Sequence, residues 1–205
     1  MMCPVLLFLV LFFLACSYLL FAHLFRPSPR SVVDVIAIVR RVEEGELEDL
    51  FDELKDENLR TNLPAARFQD EQRRRARLLF EYLRRMSFNS LAVLAWAYAE
   101  QERLHGPGMH EDQAQARRVH DLIQAGTECR VYCVVAISKL ACRLLLAAFR
   151  IASIRTLTTM RHAGSIDGLN AYRRLANAVA SLNAADDGNL TRILAALLHG
   201  SDSTF

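Results

Sequence analysis

Charge is missing from the first 25 residues of this 205-residue chain: no Asp, Glu, Lys or Arg precedes Arg26. Lysine is scarce throughout, since only Lys55 and Lys139 of the 25 basic residues are lysines and the other 23 are arginines. Genomic base composition accounts for that bias without invoking an anion-binding role. Only 8 Gly and 5 Pro occur, which excludes a collagen-like or largely disordered chain. Cysteine is sparse and odd in number: Cys3, Cys16, Cys129, Cys133 and Cys142 do not form a secreted disulfide framework and suit a reducing compartment. Nucleotide and hydrolase signatures are lacking too, with no G-x-S-x-G, G-x-x-x-x-G-K-[ST], G-x-G-x-x-G or H-E-x-x-H. A net charge of +2 gives no global field for nucleic acid.

What is present begins with an apolar run. Residues 4–25 are apolar except for Ser17, Tyr18 and His23. About 20 such residues in a helix suffice to cross roughly 30 Å of hydrocarbon. A cleaved signal peptide would carry a basic leader and a shorter apolar stretch, and neither is found. The expectation is therefore an uncleaved transmembrane anchor over residues 1–25 that contacts the lipid bilayer through residues 4–25. Arg26, Arg30, Arg40 and Arg41 follow the span and none precedes it, so the N-terminus is expected outside and the body in the cytoplasm. Residues 26–30, with Pro27 and Pro29, form a joint, and residues 31–205 a helical domain.

The expected fold of that domain is all-α, a bundle of about six or seven helices. Ser31 can cap a helix in which Val32, Val35, Ile36 and Val39 share a face, although six β-branched residues in this stretch also permit a strand. Leu47, Leu50, Phe51 and Leu54 have the i, i+3, i+4, i+7 spacing of one further helix. Leu63-Pro64 opens a helix to about Met86, with Phe68, Leu79, Tyr82 and Leu83 inward, and Ser87–Ser90 can interrupt or restart it before Gly106-Pro107-Gly108 ends it. A helical stretch over about 111–157 is expected to kink or break near Gly126-Thr127, because unbroken it would extend about 70 Å. Two helices, at roughly 165–182 and 189–198, complete the domain.

Several constellations invite chemistry. Residues 43–57 carry nine acids and one Lys, including the like-charge i,i+4 pairs Glu48/Asp52, Asp49/Glu53, Asp52/Asp56 and Glu53/Glu57. Such a face calls for a cationic neighbour. The nearest candidates are Arg73, Arg74, Arg75, Arg77, Arg84 and Arg85, reached through a connection at 58–63; a solvated acidic face is the plain alternative. The arginine run has its own acids at i−4 in Asp70/Arg74, Glu71/Arg75 and Glu81/Arg85, the pattern of a water-facing helix, and lacks the aromatic interleaving of a nucleic-acid binder. Cys129 and Cys133 lie one helical turn apart, with His120 before and Cys142 after, but no second ligand pair completes a metal site, so they read as buried thiols. Glu102-Arg-Leu-His105 is a lone Glu-x-x-His where a di-iron bundle needs two. Val131–Ile151 is apolar enough for a second span, yet Lys139, Arg143 and Arg150 interrupt it as a basic stripe; a central bundle helix accounts for it, and a helix lying on a membrane surface is the alternative. Asn189-Leu-Thr191 is a glycosylation sequon with no role in a cytoplasmic body.

No catalytic residue, cofactor or metal ligand is assigned from this pattern, and no nucleic-acid partner is expected. The reading is a non-enzymatic, membrane-anchored interaction or scaffold module, with a protein partner or self-association. The alternative is a tethered ligand-binding or sensor bundle with Trp96, Tyr98 or Tyr132 walling a pocket. An enzyme would require His105, His110 or His120 to converge with Glu or Cys.

Overall fold

Seven α-helices and no strand make up the described part of the chain, which in the computed structural model comprises residue 29 and residues 31–104, 113–148, 165–182 and 188–199. They are α1 (Val32–Ile38), α2 (Glu44–Phe51), α3 (Glu53–Asn62), α4 (Ala65–Leu104), α5 (Gln113–Ala148), α6 (Ser165–Ser181) and α7 (Gly188–His199). The apolar segment 1–25 and the rest of the joint lie outside the described residues, as do Gly106-Pro107-Gly108, Phe149 to Gly164 and the sequence 183–187. Among the described residues no helix is long and apolar enough to cross a membrane.

Helix wins over strand in α1 for a local reason. Ser31 Oγ accepts from the Asp34 amide at 3.2 Å while Asp34 Oδ2 accepts from the Ser31 amide at 3.0 Å, closing a capping box at once. The apolar stripe then lands as spaced, with Val35 fully buried, Val32, Ile36 and Val39 packed beside the core, and Val33 exposed.

The acidic stretch departs from the expected single helix. Asp52 takes an extended conformation and its Oδ1 accepts from the amides of Leu54 at 2.9 Å and Lys55 at 3.4 Å, so it caps a new helix. Leu54 thereby leaves the apolar row and is 77% exposed, whereas Leu47 stays at 0%. The expected connection at 58–63 is also shorter than read: α3 runs through Asn62, and only Leu63-Pro64 separates it from α4.

α4 is a single helix of 40 residues, about 60 Å long. Ser87–Ser90 neither interrupts nor restarts it. The polar side chains there find partners that leave the helix ladder intact: Ser90 Oγ bonds the Met86 carbonyl at 2.7 Å, and Asn89 reaches away to other elements. α5 is likewise continuous through Gly126-Thr127, so the break that was one of the two expectations there does not occur. Gly126 is a packing residue rather than a hinge. A Cβ there would stand 2.9 Å from Leu94 Cγ and Cδ2 and 3.6 Å from Leu175 Cδ1, so its absence lets α4, α5 and α6 meet.

A second meeting point fixes the topology. A Cβ on Gly168 of α6 would lie 3.8 Å from Leu83 Cδ2 and 4.0 Å from Cys133 Sγ. Passing from one level to the other, α4 advances from 83 to 94 and α6 from 168 to 175, while α5 runs back from 133 to 126. The centre is therefore an up-down-up bundle with α5 antiparallel to its neighbours. Its core includes Leu83, Met86, Val93, Leu122, Tyr172 and Leu175, each almost fully buried. α7 packs on α6 and α1 through Leu194 and Leu198, and α2 and α3 pack on α4.

Candidate functional site

The acidic face and the buried polar seam beneath it hold most of the polar architecture. Arg75 lies at their centre. Its side chain is 10% exposed, its Nη1 donates to Asp56 Oδ1 at 2.9 Å, and its Nη2 donates to the carbonyls of Asp49 at 3.1 Å and Leu50 at 3.3 Å. Those carbonyls belong to the last turn of α2, where unpaired C=O groups and the helix dipole favour a cation. Gln72 Nε2 adds a bond to Asp56 Oδ1 at 2.5 Å. One arginine thus ties α2, α3 and α4 together.

The Asp49 carboxylate of α2 pairs with Lys55 of α3, and the other acids of α2 divide among three further helices. Glu46 accepts from the Tyr82 hydroxyl of α4. Glu44 accepts from Arg173 Nε of α6 at 3.1 Å and lies 3.1 Å from His199 Nδ1 of α7. Glu48 pairs with the same Arg173 through Nη2. Burial, together with the bond to Glu46 and the charges of Glu46 and Glu43, pushes the Tyr82 hydroxyl up to about 12, against the opposing pull of Arg85. The hydrogen bond to Glu48 leads the causes that raise Arg173, with burial acting against it.

Behind this face, Asn89 acts as a joint. It is fully buried; its Oδ1 accepts from the Arg40 amide at 2.9 Å, and its Nδ2 donates to the Arg40 carbonyl at 2.7 Å and to Tyr172 Oη at 2.8 Å. The link after α1 is thereby sutured to α4 and α6, with both backbone groups of Arg40 satisfied. Burial is the main cause that holds the Tyr172 hydroxyl above its ordinary value. Deeper still, Ser90 Oγ lies 3.1 Å from Cys129 Sγ. Hydrogen bonding to Cys129, with burial added, raises the Cys133 thiol well above its ordinary value.

The arginine run contributes less to the acidic face than expected. Only Arg75 enters it. Arg73 pairs with Asp70 at 3.4 Å and Arg74 with Glu71 at 4.0 Å, both at i,i+3, so of the three expected i,i+4 pairs Glu81/Arg85 forms, at 3.3 Å, and Arg75 has gone to Asp56. Arg77 and Arg84 are exposed, with no ion pair or hydrogen bond among the described residues. Cys129 and Cys133 are free and buried, as read, and Cys142 is free and partly buried. His120 and Glu102 are exposed, while His105 and His110 lie outside the described residues. No group of three His, Cys, Asp or Glu among the described residues is placed to hold a metal.

The aromatic trio offered as a pocket wall is split. Trp96 is buried in the core, and Tyr98 and Tyr132 are 50% and 38% exposed. An open groove of about 560 Å³ instead lies between α2, α3 and α4, lined by Leu50, Leu59 and Leu78 and by the already paired Lys55, Arg74 and Arg75. Of the stripe Lys139, Arg143 and Arg150, Lys139 is exposed on α5 beside exposed Val131, Tyr132 and Val135, and Arg150 lies outside the described residues.

Sequence reasoning missed Arg173 and His199 as partners of the acids, and Asn89 as a joint. Asn89 carried a signal, lying with Ser87 and Ser90 in a short polar cluster between apolar stretches of α4; Arg173 and His199 carried none, because 125 or more residues separate each from its partner. No protein-family model, curated protein or solved structure matches the chain.

Proposed function

We propose that the chain is a membrane-tethered, non-enzymatic helical interaction module. Residues 4–25 cross the bilayer, the N-terminus lies outside and the body of residues 31–205 works in the cytoplasm. The observation that carries this reading is that the body's charge is sorted by face and that charge stays exposed on each face, at Glu48, Asp49 and Glu57 on the acidic helices and at Arg77 and Arg84 on α4. Acids crowd α2 and α3, while Arg73, Arg77 and Arg84 lie along α4 and stay in water. A tether confines such faces to one surface and raises the local concentration of any partner confined there, so modest contacts suffice.

The ligand-binding alternative draws less support, since the residues that would wall its pocket are divided between core and solvent. The test is protease access to a C-terminal tag in intact cells and in inverted vesicles, with a carbonate wash. Protection in cells, digestion in inverted vesicles and resistance to extraction are the expected results. Digestion from outside, or release of a shortened product, would sink the topology.

A further inference from the structure

We infer that the partner is a second copy of this chain, docked head to tail, with the acidic α2–α3 face of one copy against the α4 arginine stripe of the next. The inference rests on the reading of the body as an interaction module and names what it binds. Arg73, Arg77 and Arg84 fall within about 40° of one another at 100° per residue, so they form one straight stripe. The α4 residues that hold the acidic helices are Arg75, which grips α2 and α3, and Tyr82, which bonds Glu46. Arg73 and Arg77 are each two positions from Arg75, and Arg84 is two from Tyr82. Two positions are 200° of rotation. The stripe therefore points away from the acidic helices, and no side-chain rearrangement brings the two faces together within one molecule.

Each face keeps a surplus. Residues 43–57 hold nine acids against the cations Arg41, Lys55, Arg75, Arg173 and His199, and the side chains of Glu48 and Asp49 stay 57% and 64% exposed although paired; the Glu57 carboxylate is exposed and makes no ion pair among the described residues. On the stripe Arg73 pairs with Asp70, whereas Arg77 and Arg84 form no ion pair among the described residues, the acid between them, Glu81, being paired with Arg85. Opposite charge on opposite sides of one rigid body is self-complementary, but not through a two-fold axis. Such contacts are heterologous, so copies add in a row or close a ring. A shared membrane plane favours that arrangement by holding every copy in the same orientation.

The test uses the full chain in vesicles of zwitterionic lipid, with donor and acceptor dyes on C-terminal tags and cross-linking in parallel. Energy transfer is expected to exceed the dilution level at low salt, to fall in high salt, and to accompany a cross-linking ladder beyond the dimer. Arg77→Glu/Arg84→Glu and Asp49→Lys/Glu57→Lys should each raise the surface density needed for transfer by at least roughly tenfold, since attractions become repulsions. Mixing the two variants should restore transfer, which misfolded proteins would not do. Transfer at the dilution level for the wild type, failure of the mixture, or a ladder that stops at the dimer would overturn head-to-tail docking. So would reversals that change only binding to anionic vesicles. Loss of docking with the anchor intact, or docking of an unanchored chain, separates this inference from the topology.

Discussion

Gly126 and Gly168 lie in the same three-helix contact, yet replacement by Ala should move stability in opposite directions. In a helix, Gly→Ala gains about 1 kcal/mol from backbone entropy. At Gly168 the new methyl would sit 3.8 and 4.0 Å from Leu83 and Cys133, ordinary contact distances, so most of that gain should survive as roughly 0.5–1 kcal/mol of stabilisation. At Gly126 the methyl would be forced to 2.9 Å from two atoms of Leu94, a side chain only 6% exposed. Overpacking of that kind costs about 1–3 kcal/mol, which cancels or outweighs the helix gain. The two variants should differ by roughly 1–3 kcal/mol, several degrees in Tm for a domain of this size. Thermal and urea unfolding of the full chain in a mild detergent, followed by circular dichroism, would measure it. A double-mutant cycle locates the cause: in a Leu94→Ala background, Gly126→Ala should become stabilising. If Gly126→Ala already stabilises the native background as much as Gly168→Ala, the close-approach reasoning is wrong.

Asp56→Ala should cost about 3 kcal/mol in urea unfolding, because it leaves the nearly buried Arg75 guanidinium without its carboxylate; Asp56→Leu/Arg75→Met should cost less than the single change, and the reverse order would refute a buried pair. The Tyr82 hydroxyl is raised above its unfolded value of 10, so its neutral form is favoured in the folded state. Its contribution is intact below pH 10 and is lost as pH rises toward 12. Tyr82→Phe should therefore flatten the fall in urea midpoint across that window, and an unchanged slope would count against the Glu46 contact. Among the cysteines of the described residues, Cys142 should label first with a thiol reagent under native conditions, and Cys129 and Cys133 only on unfolding; mass spectrometry of the labelled peptides would show any other order.

Helix positions were largely legible in the sequence because they depend on neighbours a few residues apart. Ser31 and Asp34, the apolar row of α1 and the Leu63-Pro64 start of α4 all act over one or two turns. The misreadings share a cause. Asp52, Ser87–Ser90 and Gly126 are residues whose local preference is ambiguous, and their surroundings decided among the options. Asp52 could sit within an amphipathic row or cap the next helix, and capping won. Ser90 and Asn89 could break a helix or bond elsewhere, and the Met86 carbonyl, Arg40 and Tyr172 supplied the bonds. Gly126 could be a hinge or a gap for a neighbour, and Leu94 fills the gap.

The sequence by itself determined that the body is helical, that its thiols have no disulfide framework, and that its acids and arginines form separate blocks. Which cation meets which acid was settled only in three dimensions. The nearest arginine block faces the wrong way round α4, so a single member, Arg75, reaches the acidic helices; beside the local pairs Arg41–Glu43 and Lys55–Asp49, the other contacts come from Arg173 and His199, far along the chain. Periodicity fixes the angle of a residue about its own helix axis, whereas pairing depends on where the other axes lie, and that is set by close approaches such as Leu94 against Gly126.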